Sequence, residues 1–207
     1  MKQLFSIVLI ALGLNVISAQ NVFFNNGLNF TTYDYDISQS ENNSNIKSSS
    51  GHSYEVGYTF ISGLGKKVNV EAALTLDQYN ATGGNIVNNY SWNTNYLGIQ
   101  GVFKYKLIEV SDSSKFGVNI NAGINFNHII QGEQKINGQT FKLTDQEEFN
   151  GLFIKSILGL QLKYQLMDYI AIGISYNFSK NYGLSGGDEN LNFNNRQFQL
   201  GIIMSTK

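Results

Sequence analysis

The chain has no cysteine and no proline in 207 residues. Without cysteine there are no disulfide staples and no thiolate metal sites. Proline removes a ladder donor and is confined to sheet edges and bulges, so its absence suits a chain made of fully paired strands. Charge is scarce too, at 14% of residues, with 14 basic against 15 acidic side chains. That balance argues against a nucleic-acid surface or a polybasic lipid-binding patch. The two histidines, His52 and His128, are far apart in sequence and supply no metal-ligand cluster. No cofactor is implied. Beyond the first twenty residues, no apolar run reaches the length of about 20 that a membrane-spanning helix needs.

What is present begins with a leader. Met1-Lys2 gives a positive start, Leu4 to Ile17 an apolar stretch and Ser18-Ala19 a small-residue exit. This predicts a secretory signal peptide over residues 1–19, cleaved between Ala19 and Gln20. The apolar stretch is short for a retained membrane helix. No cysteine follows the cleavage point, so a lipid-anchored lipoprotein is excluded on chemistry. Residues 20–207 are then one domain by size, with 13 basic and 15 acidic side chains.

From Phe116 to His128 two kinds of side chain alternate without a break. Phe116, Val118, Ile120, Ala122, Ile124 and Phe126 form one set; Gly117, Asn119, Asn121, Gly123, Asn125 and Asn127 form the other. On a strand these sets point to opposite faces. A sheet face in open water usually carries Lys, Glu and Thr, whereas this one carries only Asn and Gly. Such small uncharged groups suit a crowded wet interior, which leaves lipid to the apolar face. The same pattern recurs at 54–60, 68–77, 97–105, 152–164, 170–179 and 197–204. A weaker first segment sets Tyr33, Tyr35 and Ile37 against Leu28 and Phe30, which predicts a bulge between Asn29 and Thr32. Eight strands result.

Their connections alternate in length. Long ones cover Gln39 to His52, Asn80 to Asn89, Gln131 to Asn150 and Tyr182 to Asn194; short ones cover Ser62 to Lys66, Glu109 to Lys115 and Gln165 to Asp168. This is the arrangement of an outer-membrane barrel with short periplasmic turns and long outer loops, and it puts both mature termini in the periplasm. Aromatic residues gather at both ends: Tyr105, Phe116, Tyr164 and Tyr169 by the short turns, and Tyr54, Tyr79, Tyr90, Trp92, Phe126, Phe178 and Tyr182 towards the long loops. They are expected to form two interfacial belts. The rival is a soluble lipocalin-like barrel with the aliphatic face inside, which predicts a charged outer face. The polar faces at 117–127, 171–179 and 197–201 carry no charge. The predicted fold is therefore an all-β, eight-stranded antiparallel up-and-down transmembrane β-barrel spanning residues 20–207.

In this pattern the chain resembles the small eight-stranded outer-membrane barrels, of the OmpX type and the OmpA transmembrane domain. The resemblance is one of architecture and rests on no diagnostic motif. It implies a cell outer-membrane location and lipid as neighbour. Many members end in an aromatic residue; here the end is Ile203-Met204-Ser205-Thr206-Lys207. Among small barrels of this class, deacylases of the PagL kind imply a His, a Ser two residues on and a carboxylate. His128 is followed at that spacing by Ile130, and His52 by Tyr54 with Ser53 between. No catalytic residue is assigned.

Eight strands leave a bore just wide enough for side chains. Glu55, Glu71, Asp77 and Lys155 are expected in that lumen, with Lys104 and Lys163 near the periplasmic mouth. Strand order sets Glu55 across from Lys155, so these two are expected to pair, as a structural bridge or a gate. The expected function is non-enzymatic: membrane stabilisation and outer-loop contact with a surface, ligand or outer-membrane protein partner, with no nucleic acid. The alternative is an accessory subunit of a larger secretion or uptake complex, docked through a lipid-facing stripe poor in bulky aliphatics, for which Ala122 and Ser156 are candidates.

Overall fold

Period-two alternation makes long strands because each side of such a strand suits a different medium. In a computed structural model the chain is described over residues 21–35, 46–61, 67–84, 89–110, 114–146, 149–184 and 191–206. The leader expected at 1–19 lies outside the described residues, as do parts of several connections. Among the described residues eleven strands occur in chain order: β1 (Asn21–Tyr35), β2 (Ile46–Ser48), β3 (Ser50–Ile61), β4 (Val68–Gln78), β5 (Ala81–Gly84), β6 (Asn89–Ile108), β7 (Phe116–Ile136), β8 (Gln139–Lys142), β9 (Leu152–Met167), β10 (Ile170–Gly183) and β11 (Leu191–Ser205). A 3-10 turn, Leu143–Asp145, follows β8.

Eight of these close into a ring in the order β1-β3-β4-β6-β7-β9-β10-β11, and β11 pairs back onto β1 from Asn21↔Ser205 to Tyr35↔Leu191. All neighbours are antiparallel. A rung followed from Phe24 passes Val56, Leu74, Ile99, Phe126, Ile154, Tyr182 and Asn192, and returns to β1 at Asp34, ten residues from its start. Eight strands with a stagger of ten set the tilt at about 40° and the backbone radius at about 8 Å. Such a bore is just wide enough for side chains to fill.

The two faces divide as expected. Asn25, Asn121, Asn125, Gln161, Asn177 and Gln199 are buried inside, while Phe103, Phe116, Leu158, Leu160 and Leu200 stand outside, each more than half exposed. An apolar belt of this extent around the whole ring suits hydrocarbon and not water. The lipocalin-like arrangement is excluded by placement: the aliphatic set is outside. Gly98 and Gly201 face the lumen, where a Cβ would collide with the side-chain amides of Asn125 and Asn25 respectively. The small residues of the polar face thus make room for its amides.

Three expectations need correction. First, β1 has no bulge: its register against β11 is unbroken from Asn21 to Tyr35. Tyr33 is inward on the same face as Asn29 and Thr31, while Leu28 and Phe30 face outward. The apolar character of Tyr33 reflects an aromatic interior at that level, not lipid. Second, the connection expected from Gln131 to Asn150 is largely built: β7 runs on to Ile136, turns at Asn137-Gly138 and returns as β8. Both turn residues have positive φ, 48° and 84°, the pairing Asn-Gly supplies for a two-residue hairpin. Third, Tyr79 and Trp92 leave the belt and fold inward, whereas Tyr54, Phe126, Phe178 and Tyr182 stay outside. Irregularities do occur, at Asn95/Tyr96 opposite Ile130 and at Lys106/Ile108, where one strand carries an extra residue.

Candidate functional site: a plugged lumen beneath a raised sheet

The lumen is filled by charges that are each compensated. Lys155, inward on β9, places its Nζ 2.9 Å from Asp77 Oδ2 on β4 and donates to Tyr79 Oη at 3.2 Å. Asp77 also accepts from Asn29 Nδ2 and Gln197 Nε2, each at 3.3 Å, and from Tyr79 Oη at 3.0 Å. Six residues further down β4, Glu71 pairs with Lys104 Nζ at 2.8 Å and accepts from Thr59 Oγ1 at 3.0 Å. Between the two ion pairs sits Glu55, which accepts from Gln100 Nε2 at 2.6 Å, Gln199 Nε2 at 3.0 Å and Asn25 Nδ2 at 3.2 Å. All five charged residues are buried. Burying a charge without such partners costs several kcal/mol, roughly 3–5 when one partner of a pair is removed.

The four residues singled out from sequence are thus together in the lumen, but Glu55 and Lys155 do not pair. Tilt explains the difference. The rung through Glu55 ends at Phe153 on β9, having climbed about 12 Å from β3 at this stagger, and the rung that reaches Lys155 starts at Gly57, nearer the short-turn end of β3. Asp77 is the carboxylate at that height. Lys104 stands opposite Asn69, one residue from the short-turn end of β4, near the mouth as expected, and its ammonium reaches inward to Glu71.

Above the ionic tier lies an aromatic one that sequence reading missed. Tyr33, Tyr79, Trp92, Tyr96, Phe153 and Phe193 point inward, joined by Phe149, Leu143 and Leu191 from the connections and strand ends. Rings meet edge-on or tilted: Tyr33–Trp92 at 4.9 Å, Tyr79–Phe193 at 4.8 Å and Tyr96–Phe153 at 5.5 Å between centroids. Tyr33 Oη donates to the Tyr79 carbonyl at 2.7 Å, so its hydroxyl is satisfied. The signal was available: Phe153 shares parity with Lys155, and Phe193 with Gln197 and Gln199. Between the tiers and the short-turn mouth, the cavity around Glu55, Glu71 and Lys104 holds about 20 Å³, room for about one water. The lumen in the described residues is a packed core.

On this plug stands a sheet that continues past the ring. β6 and β7 pair up to Tyr90↔Ile136; β5 adds to β6, β2 adds to β5, and β8 adds to β7. Leu143 and Phe149, both fully buried, anchor the segment after β8 into the aromatic tier. Phe141, Ile136, Lys135 and Lys142 are left exposed.

The histidines lie apart from all of this. His52 faces outward against Tyr54, while Ser53 faces the lumen and accepts from Gln197 Nε2 at 2.8 Å. Alternation therefore separates the two neighbours across the wall. His128 is exposed, with Nδ1 2.9 Å from the Gly151 carbonyl oxygen. Among the described residues no three His, Cys, Asp or Glu side chains group to hold a metal ion.

No protein-family model matches the chain, and no curated protein matches its sequence. Solved structures do match in shape. Neisserial surface protein A is 9% identical, with 88% of this chain and 96% of that one covered and a TM-score of 0.46. The N-terminal β-barrel domain of Pseudomonas aeruginosa OprF is 14% identical, with 90% and 98% covered and a TM-score of 0.45. The outer-membrane enzyme PagL is 13% identical, with 89% and 98% covered and a TM-score of 0.36. One of the three is an enzyme, and likeness of this size assigns no activity. By its own ring of eight strands, its stagger of ten and its apolar belt, the protein has the architecture of a small eight-stranded outer-membrane β-barrel.

Proposed function

We propose that the protein is a non-conducting, non-catalytic barrel of the cell outer membrane that presents the raised β2-β5-β6-β7-β8 sheet to a surface ligand or protein partner. Its strand termini at Asn21 and Ser205 then lie on the periplasmic side, with the short turns. The observation that carries the reading is the two-tier plug. A bore closed by buried ion pairs and then by packed rings is a pedestal, and the aromatic tier holds Leu143 and Phe149 in place above it. An interior this well compensated also makes a rigid membrane stave, which supports a stabilising role alongside contact.

The absence of cysteine from the sequence makes the test direct. Single cysteines at Gln139, in the raised hairpin, and at Asp168, in a short turn, are treated in intact cells with a membrane-impermeant maleimide. Labelling at 139 alone is expected; labelling at 168 alone reverses the orientation and removes the proposed contact face. Planar-bilayer recording of the purified barrel is expected to show no steady channel, and a sustained open level would replace this reading with a pore.

A further inference from the structure

Below the raised sheet, the described outward side chains of the ring strands are mostly apolar and include Lys or Arg in one place only. Lys180 on β10 and Arg196 on β11 both face lipid, and Arg196 is the only arginine in the sequence. Register makes them neighbours: Arg196 lies between Phe30 of β1 and Phe178 of β10, and Lys180 lies between Asn194 of β11 and Ser156 of β9. Thr32 continues this second row on β1, opposite Asn194. Around them is an open groove of about 560 Å³ on the outer face of the wall, floored by Phe30, Leu158 and Phe178. Arg196 makes no hydrogen bond or ion pair with any described residue, and the Lys180 ammonium rests 5.3 Å from the Tyr182 ring centre.

Height decides what this pair meets. Below Arg196 on its own strand, Phe198, Leu200, Ile202 and Met204 face outward; below Lys180, the outward residues are Phe178, Tyr176, Ile174 and Ile172. At a tilt of about 40° those runs put both cations close to the top of an apolar band about 25 Å tall, at headgroup level. Lone lysines and arginines at such a level snorkel as general anchors. Here the two are adjacent and share a groove with the hydroxyl of Thr32, while the Ser156 hydroxyl on the other flank donates to the Lys180 carbonyl oxygen at 3.3 Å. A guanidinium presents a planar fork that matches phosphate oxygens in a bidentate pair, and a neighbouring ammonium adds a second charge.

We infer that this groove is a binding site for the phosphomonoester headgroup of a lipid in the leaflet at the long-loop end, with Arg196 and Lys180 holding the phosphate and the aliphatic wall below receiving the acyl chains. The charge complementarity is specific: a dianionic phosphate neutralises both cations, whereas a zwitterionic headgroup brings its own cation to the same place. The inference rests on the membrane reading of the barrel but not on which side of the cell the loops face.

The test uses the whole mature barrel in nanodiscs of dioleoyl phosphatidylcholine containing a minor share of dioleoyl phosphatidate, with co-purified lipid counted by native mass spectrometry after mild detergent extraction. Phosphatidate is expected to be retained about tenfold over its share, a ratio that Arg196→Gln with Lys180→Gln lowers to near unity and that Arg196→Lys lowers only in part, since it keeps the charge and loses the fork. Lys135→Gln, in the raised hairpin, is expected to leave the ratio unchanged. Equal retention of the two lipids by the parent barrel, or an unchanged ratio in the double variant, overturns the site. Displacement of phosphatidate by millimolar inorganic phosphate makes it a site for the free ion and overturns the lipid assignment. A heat-shifted gel band shows that each sample is a folded, inserted barrel; failure to insert strikes the membrane reading, while insertion without phosphatidate preference strikes this inference alone.

Discussion

The two tiers of the interior close the same bore by opposite means. In the lower tier Asp77–Lys155 and Glu71–Lys104 are charges whose burial is tolerable only because each is answered at 2.8–2.9 Å. In the upper tier rings such as Tyr79, Phe153 and Phe193 are held by dispersion and area, with little dependence on any one partner's charge. The difference teaches where each tier is fragile. An ionic tier fails sharply when one partner is lost and recovers when the second goes as well. An aromatic tier loses stability in proportion to the volume removed.

The largest effect should come from splitting an ion pair. Lys155→Met leaves the Asp77 carboxylate buried and is expected to cost about 3–5 kcal/mol, measured by urea unfolding in lipid bilayers. Adding Asp77→Leu should return part of that loss, since Asn29, Gln197 and Tyr79 then lose an acceptor; a double variant as unstable as the single one would break the contrast between the tiers. Next comes Phe193→Ala, which opens a hole between Tyr33, Tyr79 and Phe153. It is expected to cost about 3 kcal/mol without opening the pore, because the ionic tier still closes it. Steady conductance in this variant would show that the rings alone seal the lumen.

Smaller effects sharpen the contrast between the inner and outer faces. Ile120→Lys puts a charge on the lipid side near mid-height and should cost about 2–4 kcal/mol. Asn119→Asp, its inward neighbour, adds a carboxylate to a polar vestibule it shares with Lys106 and Lys163, and should change stability by less than about 1 kcal/mol. Equal costs at 119 and 120 would sink the facing assignment. Smallest of all, His128→Ala on the exposed outer edge should stay within about 0.5 kcal/mol. A loss of any lipid-modifying activity in that variant would return catalysis to the discussion.

Much of the wall was legible from pattern. Phe116 to His128 reads as one stave because alternation is local: each residue's face depends only on its neighbours' parity. The same parity placed Glu55, Glu71, Asp77 and Lys155 inside. It was misread where apolar residues occupied the inner face. Tyr33 suggested a bulge and Tyr79 a lipid belt, since an aromatic ring looks the same in sequence whether hydrocarbon or other rings surround it. The Asn137-Gly138 hairpin was readable from its turn chemistry and was hidden inside what looked like a polar loop. Arg196 gave no pattern signal, because it sits one step beyond the alternating run it belongs to.

Sequence by itself determined the period, the two faces, the number of long strands and the alternation of long and short connections, because all of these follow from local parity and turn residues. Tertiary structure decided the heights. Which carboxylate meets Lys155, which rings stack above it and which outward cations share a groove all depend on a stagger of ten around a closed ring, a quantity set by every strand pairing at once and carried by no single segment.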